Sequence, residues 1–270
     1  MKTAILFLFL SLSVFSGNAF AIGEVSPQET QRSMYFDAEM NEQSPTHLGY
    51  YRPLYFITGT PDTKVQISFK YQPVKDTPFY LGYTQRMFWY LYRFSAPIYD
   101  VNYNPEFFYR YQLGGDHFFK TMDIGFFEHE SNGRGGNASR SADDSYLRFN
   151  GLTKVGNSTL ELSVKVFYLY SLDIPNPDLR VYRGFWQGTV AIRDALPSFL
   201  QKNEIYFTST QGEHYAGFDV TKGSQELGIR FKCLFPNLDT RLYFQFYRGY
   251  DDSMLHYNQF ETGYRGGLSL

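Results

Sequence analysis

A period of two constrains this chain more than any other feature. In residues 158–171, Leu160, Leu162, Val164, Val166, Tyr168 and Tyr170 alternate with Thr159, Glu161, Ser163, Lys165, Phe167 and Leu169. Successive side chains of a β-strand leave opposite faces, so the run describes a strand with one apolar face and one mostly polar face. Runs rich in Tyr, Phe, Val, Ile and Leu recur at 48–58, 64–74, 79–92, 102–113, 119–130, 143–155, 181–194, 202–211, 224–235, 239–250 and 256–270. Links such as TGTPD, KDTP and LGGD carry turn chemistry between them. In 239–250 the apolar face is Leu242, Phe244 and Phe246, with Arg241, Gln245 and Arg248 elsewhere.

Two architectures share this alternation: a soluble sandwich with apolar faces inward, and a transmembrane barrel with apolar faces outward. Aromatic residues make up 20% of the chain, with 24 Tyr and 27 Phe, more than a soluble core needs. Tyr suits a place where one end of the ring is apolar and the other wet. Beyond the first residues no apolar run approaches a transmembrane helix, while each strand is long enough to cross a bilayer at a tilt. An even number of strands closes an antiparallel barrel without an edge. The expectation is an all-β fold, an antiparallel transmembrane β-barrel of about 12 strands.

The start of the chain fits that destination. Lys2, the apolar stretch AILFLFLSLSVF and the small-residue pattern Ala19-Phe20-Ala21 read as a signal peptide over residues 1–21, cleaved after Ala21. No linker divides residues 22–270, which are read as one outer-membrane domain. Cys233 is the only cysteine, so no intramolecular disulfide is available. A formal net charge of −2 gives no electrostatic case for nucleic acid. The last strand keeps Gly266, Leu268 and Leu270 in step, similar to terminal strands that barrel-assembly machinery recognises.

The chemistry concentrates in residues 128–143, EHESNGRGGNASRSAD. His129 and Ser131 are two apart and leave a strand on the same face, as a base and its nucleophile would. A carboxylate on the far side of the imidazole would fix its tautomer, and the glycine-rich link supplies free amides for an oxyanion. Asp143 shares parity with Ser145, Leu147 and Phe149, the apolar face, whereas Asp144 goes with Arg148 and Asn150 toward the barrel interior. On the preceding strand Met122, Ile124 and Phe126 are the apolar face, but His129 and Ser131 are in step with Phe127. One extra residue at Phe126-Phe127, a β-bulge, would put His129, Ser131 and Asp143 on one face. That face meets lipid, where a nucleophile near the headgroups reaches an ester of a membrane lipid. The bland alternative is that SNGRGGNAS is an ordinary extracellular turn.

His129-Glu130-Ser131-Asn132-Gly133-Arg134 followed by Ser139-Arg140-Ser141 resembles the signature of the bacterial outer membrane phospholipase A family. Further matches are Tyr83-Thr84-Gln85, Ser95-Ala96-Pro97 with Asn102-Tyr103 and Pro105, Asn176-Pro177-Asp178, and Gly249-Tyr250-Asp251-Asp252-Ser253. The resemblance implies a twelve-stranded, calcium-dependent phospholipase A, hydrolysing acyl esters of phospholipids and active as a homodimer. Carried onto this sequence, it makes Ser131 the nucleophile, His129 the base and Gly133 an oxyanion donor through its amide. It assigns Ca2+ to the Ser139 hydroxyl, the Arg134 carbonyl and, from a partner subunit, the Ser95 carbonyl, with Gln85 in the dimer interface. The family usually has asparagine as third triad member, where this sequence has Asp143; the doublet Asp143-Asp144 leaves one residue of register open. The rival readings are a non-enzymatic pore or adhesin barrel, and a soluble sandwich esterase.

Overall fold

A computed structural model describes residues 22–23, 47–114, 117–197, 199–214, 217–219, 221–232 and 240–270. The predicted signal peptide at 1–21 lies outside the described residues. Twelve long strands occur among the described residues: β1 (Tyr55–Thr60), β2 (Thr63–Tyr71), β3 (Phe79–Trp89), β4 (Ile98–Gln112), β5 (Phe119–Ser131), β6 (Ser141–Val155), β7 (Ser158–Leu172), β8 (Trp186–Arg193), β9 (Gln201–Thr210), β10 (Ser224–Lys232), β11 (Arg241–Gly249) and β12 (Glu261–Ser269). Each pairs antiparallel with its sequence neighbours. β12 returns to β1 over Tyr264↔Thr60 to Ser269↔Tyr55, so the sheet closes and no barrel strand is left as an edge.

The distribution of residues eliminates the soluble sandwich. Lys64, Glu106, Arg110, Asp123, Arg148, Glu161, Lys165, Arg193, Glu204, Arg230 and Arg265 are buried, while Phe69, Leu81, Val166, Tyr168, Phe244 and Leu268 are exposed. Such an arrangement is stable only where the exterior solvent is hydrocarbon and the interior supplies partners for each charge. Those partners are present: Arg110 forks onto Asp123 at 2.7 and 2.9 Å, Lys165 meets Glu128, and Arg230 meets Glu204. No helix among the described residues is long and apolar enough to cross a membrane, which is no obstacle to a barrel.

Three expected strands begin five or more residues later than the sequence suggested. The run at 48–58 splits into a short strand, Leu48–Tyr50, and β1. Pro53 lies in the break; having no N–H to give a ladder, it offers its carbonyl to Gln66 Nε2 at 2.8 Å. The run at 181–194 starts as the helical turn α1 (Leu179–Arg183), and 256–260 belong to a loop, with β12 beginning at Glu261. Arg248 shares the outer face with Phe244 and Phe246 at the mouth of the barrel, its guanidinium 5.6 Å from the Phe260 ring, where its charge reaches water.

The links β3–β4, β5–β6, β7–β8 and β11–β12 all meet at one end of the barrel. Loop 250–260 folds back into that mouth, with Asp252, Ser253, Met254 and Tyr257 all buried. Tyr257 joins Tyr51, Phe108, Tyr146, Leu169 and Leu179 in an apolar cluster that runs from the mouth down into the barrel.

Candidate active site

The bulge predicted on β5 is present. Phe107 pairs with Phe127 but Phe108 with Gly125, so Phe126 is extra on β5 relative to β4. On the other side Gly125 pairs with Tyr146 and Glu128 with Asp144. Two consecutive rings therefore face outward, Phe126 at 50% and Phe127 at 42% exposure, and the parity of all later residues on β5 reverses. His129 and Ser131 are carried outward as a result, and Glu128 and Glu130 inward.

His129 lies directly across from Asp143, and Ser131 from Ser141. His129 Nδ1 is 2.6 Å from Asp143 Oδ1, with both side chains partly exposed on the barrel exterior. A carboxylate only accepts, so Nδ1 carries the proton and Nε2 of the neutral ring keeps its lone pair on the side away from Asp143. The Phe127 ring runs parallel to the imidazole at 6.3 Å. Asp144 is buried inside, 3.9 Å from Lys165 Nζ, so of the doublet only Asp143 reaches His129.

The link 132–140 is folded by one side chain. Asn132, buried, accepts from the Arg134 amide at 3.3 Å and the Arg140 amide at 3.0 Å, and donates to the Ala138 carbonyl at 2.9 Å. Gly133 has φ +64°, and a Cβ there would come within 2.9 Å of the Tyr103 ring, so both backbone and space require glycine. A turn with that conformation leaves its amide free of the ladder, next to Ser131.

The predicted metal ligands are partly gathered. Ser139 donates its hydroxyl to Asp173 Oδ2 at 2.5 Å, and Arg134 is five residues earlier on the same link. Ser95 is exposed on the β3–β4 loop at φ +61°, on the same mouth of the barrel. Gln85 lies on the outer face of β3, accepting from Tyr83 Oη at 2.8 Å. Gln85 pairs with Tyr103, and Tyr103 with Ser131, so the three occupy one row across neighbouring strands. No cluster of three or more His, Cys, Asp or Glu able to hold a metal occurs among the described residues. The oxygen set available, a hydroxyl, main-chain carbonyls and the Asp173 carboxylate, suits a hard cation that retains waters.

Sequence reasoning missed Asp173 and Asn176. Asn176 is fully buried and reads the Ser141 backbone twice, accepting from its N–H at 3.2 Å and donating to its C=O at 3.0 Å. The signal was the Asn176-Pro177-Asp178 match, whose role needed the loop to be seen folded over β6.

Comparison with known proteins settles the family. Residues 25–270 match the family model described as Phospholipase A1. This chain belongs to the phospholipase A1 family. Among curated members, phospholipase A1 of Klebsiella pneumoniae is 31% identical over 195 residues, 70% of this chain and 61% of that protein. Phospholipase A1 of Escherichia coli K12 is 29% identical over 198 residues with the same coverage, so the match spans about 61% of the length of these relatives. Among solved structures, outer membrane phospholipase A from Escherichia coli superimposes with a TM-score of 0.66 at 22% identity, covering 83% of this chain and 94% of that one. The Salmonella typhi outer membrane phospholipase dimer with bound calcium gives 0.66 at 24% identity, covering 85% and 94%. At these identities the superposition shows the fold, a closed antiparallel barrel.

Proposed function

We propose that this phospholipase A1 family member is a calcium-dependent phospholipase A that hydrolyses acyl esters of phospholipids, at the first or second position, as a homodimer. The single observation that carries the reading is the His129–Asp143 pair held on the lipid-facing side of the barrel beside Ser131. Substrate on that face arrives laterally, with its ester near the headgroup level and its chain against the exterior.

The chemistry uses this chain's own groups. Ser131 Oγ attacks the acyl carbonyl carbon while its proton passes to Nε2 of His129, and Asp143 steadies the imidazolium that forms. The Gly133 amide faces the developing oxyanion. Return of the proton from His129 to the glycerol oxygen releases lysophospholipid and leaves an acyl-serine. Water, deprotonated by His129, then cleaves that ester to a fatty acid and restores Ser131.

The residues present fit the calcium of the Salmonella typhi relative: Ser139 through its hydroxyl and Arg134 through its carbonyl would hold it, with Ser95 of the partner subunit completing the set. When bound, the ion would supply positive charge to stabilise the oxyanion. Gln85 would face its counterpart across the dimer. The pore reading is disfavoured by an interior crossed by ion pairs of Arg148, Lys165 and Arg241 with Glu106, Glu128 and Glu204.

The test is fatty-acid release from mixed phospholipid–detergent micelles by refolded protein, with calcium and then with excess chelator, for wild type and Ser131→Ala. Hydrolysis that requires both calcium and Ser131 is expected. A folded barrel that releases no fatty acid, or a Ser131→Ala variant at the wild-type rate, would sink the proposal.

A further inference from the structure

The run Gly249 to Ser253, GYDDS, has no part in the triad, yet Asp252 and Ser253 in it are buried. Asp252 is clamped by Lys64 and by Arg265 Nη2 at 2.9 Å, and Arg265 is itself held by Asp62 at 2.7 Å. Past this anchor the loop runs along β4. The Met254 amide donates to Asn102 Oδ1 and the Leu255 amide to Asp100 Oδ2, both at 3.0 Å, and Asn102 Nδ2 donates to the same Asp100 oxygen at 2.7 Å.

Those bonds use one oxygen of Asp100. The other, Oδ1, has no hydrogen-bond partner among the described residues, although the residue is only 1% exposed. A buried carboxylate oxygen left in that state is costly and calls for a reason. What faces it is Arg134, with Nε 3.8 Å away and Nη2 donating to the carbonyl of the adjacent Tyr99. Arg134 thus reaches back from the link beside Ser131 to β4, following the unsatisfied charge.

We propose that Asp100 is a positioning residue: held from behind by the β11–β12 loop, its free carboxylate oxygen draws the Arg134 side chain inward and thereby sets the backbone of Gly133 and Arg134 toward substrate and cation. This rests on the reading of Gly133 and Arg134 given under Proposed function. It assigns the β11–β12 loop, anchored at Asp252 and bonded to β4 through Met254 and Leu255, the task of holding the active-site link from across the mouth, and it makes no use of a proton transfer.

Asp100→Asn is the discriminating variant, because its amide oxygen still accepts from Leu255 and Asn102 while the charge facing Arg134 is removed. Full-length protein in detergent micelles is compared with Asp100→Asn, Arg134→Gln and the double variant. Three quantities are read: the calcium midpoint by titration calorimetry, amide hydrogen exchange over residues 132–135, and heat-modifiable mobility as the check on folding. Asp100→Asn is expected to raise the calcium midpoint by roughly 3- to 10-fold and to speed exchange only over 132–135. The double variant is expected to match Arg134→Gln, the non-additivity of residues acting through one contact. Additive effects, or unchanged exchange and midpoint in Asp100→Asn, overturn the proposal. If wild type binds no calcium, the metal part of the functional reading falls, and exchange over 132–135 still decides the role of Asp100. Should Asp100→Asn lose heat-modifiability, Arg134→Gln alone must reproduce the local exchange change or the proposal fails.

Discussion

The two faces of β5 and β6 at the mouth both set carboxylates against bases and behave in opposite ways. Inside, Glu128 is held by Lys165 and Arg52, Glu130 by Arg86 and by Arg183 at 2.9 Å, and Asp144 lies near Lys165. Outside, one residue away along the chain, His129 and Asp143 hold each other while remaining partly open. A carboxylate surrounded by cations is fixed in place and chemically silent. One facing a lone imidazole at a lipid surface is free to orient a base. The inner face supplies the rigidity that the outer face needs, since neighbouring residues on a strand cannot move independently.

The most severe way to break this division is to delete Phe126. The strand would lose its extra residue, and His129 and Ser131 would trade faces with Glu128 and Glu130. Fatty-acid release should fall to background, and crossed faces should also cost the barrel its heat-modifiable mobility; a deletion variant that still hydrolyses phospholipid would show that the bulge does not set the face.

Next in size is the contrast within the doublet. Asp143→Ala should lower turnover by about 10²- to 10⁴-fold, whereas Asp143→Asn, which installs the residue the family usually carries and keeps a carbonyl oxygen as acceptor for Nδ1–H, should retain much more. Asp144→Asn should leave turnover within a few-fold of wild type. Steady-state rates on one lipid decide it, and equal losses at 143 and 144 would erase the distinction between the faces.

On the inner face the readout is stability. Glu128→Gln removes the nearer of the two carboxylates facing buried Lys165 and leaves it only Asp144 at 3.9 Å; it should destabilise the barrel by about 3 kcal/mol, measured by urea unfolding in micelles. A change below 1 kcal/mol would mean that the interior ion pairs do not hold the strands.

The smallest effect concerns the mouth loop. Burial pushes the Asp252 carboxyl up, but the Lys64 ammonium and the Arg265 guanidinium outweigh it and hold it down to about 2, from an ordinary 3.8. A depressed carboxyl stabilises the fold above the ordinary value, and that contribution of about 2 kcal/mol disappears as pH falls from 4 toward 2. Unfolding midpoints of wild type should therefore drop across this window, and those of Asp252→Asn should be flatter; parallel curves would remove Asp252 as an anchor.

Much of this was legible from residue order. Alternation over 158–171 is a local property, because strand geometry fixes which side chains share a face whatever else the chain does. The bulge was legible for the same reason: the parity of Ile124 and of His129 disagree unless a residue is inserted between them. What parity could not supply was any contact between strands far apart in sequence. Asp173 over Ser139, Asn176 along Ser141, and Leu255 upon Asp100 join residues separated by 34, 35 and 155 positions. Arg248 failed at sequence level because a charge at a strand end can face outward and still reach water.

By itself, then, the sequence determined the barrel class, the outward His129, Ser131 and Asp143, and the family signature, all of which depend on period and short-range spacing. Only the tertiary structure decided which charges neutralise one another inside, how loop 250–260 folds back into the mouth, and what supports the link 132–140. Those are loop-closure and burial decisions: a carboxylate such as Asp100 finds its partners only when distant strands have closed around it and water has been driven out.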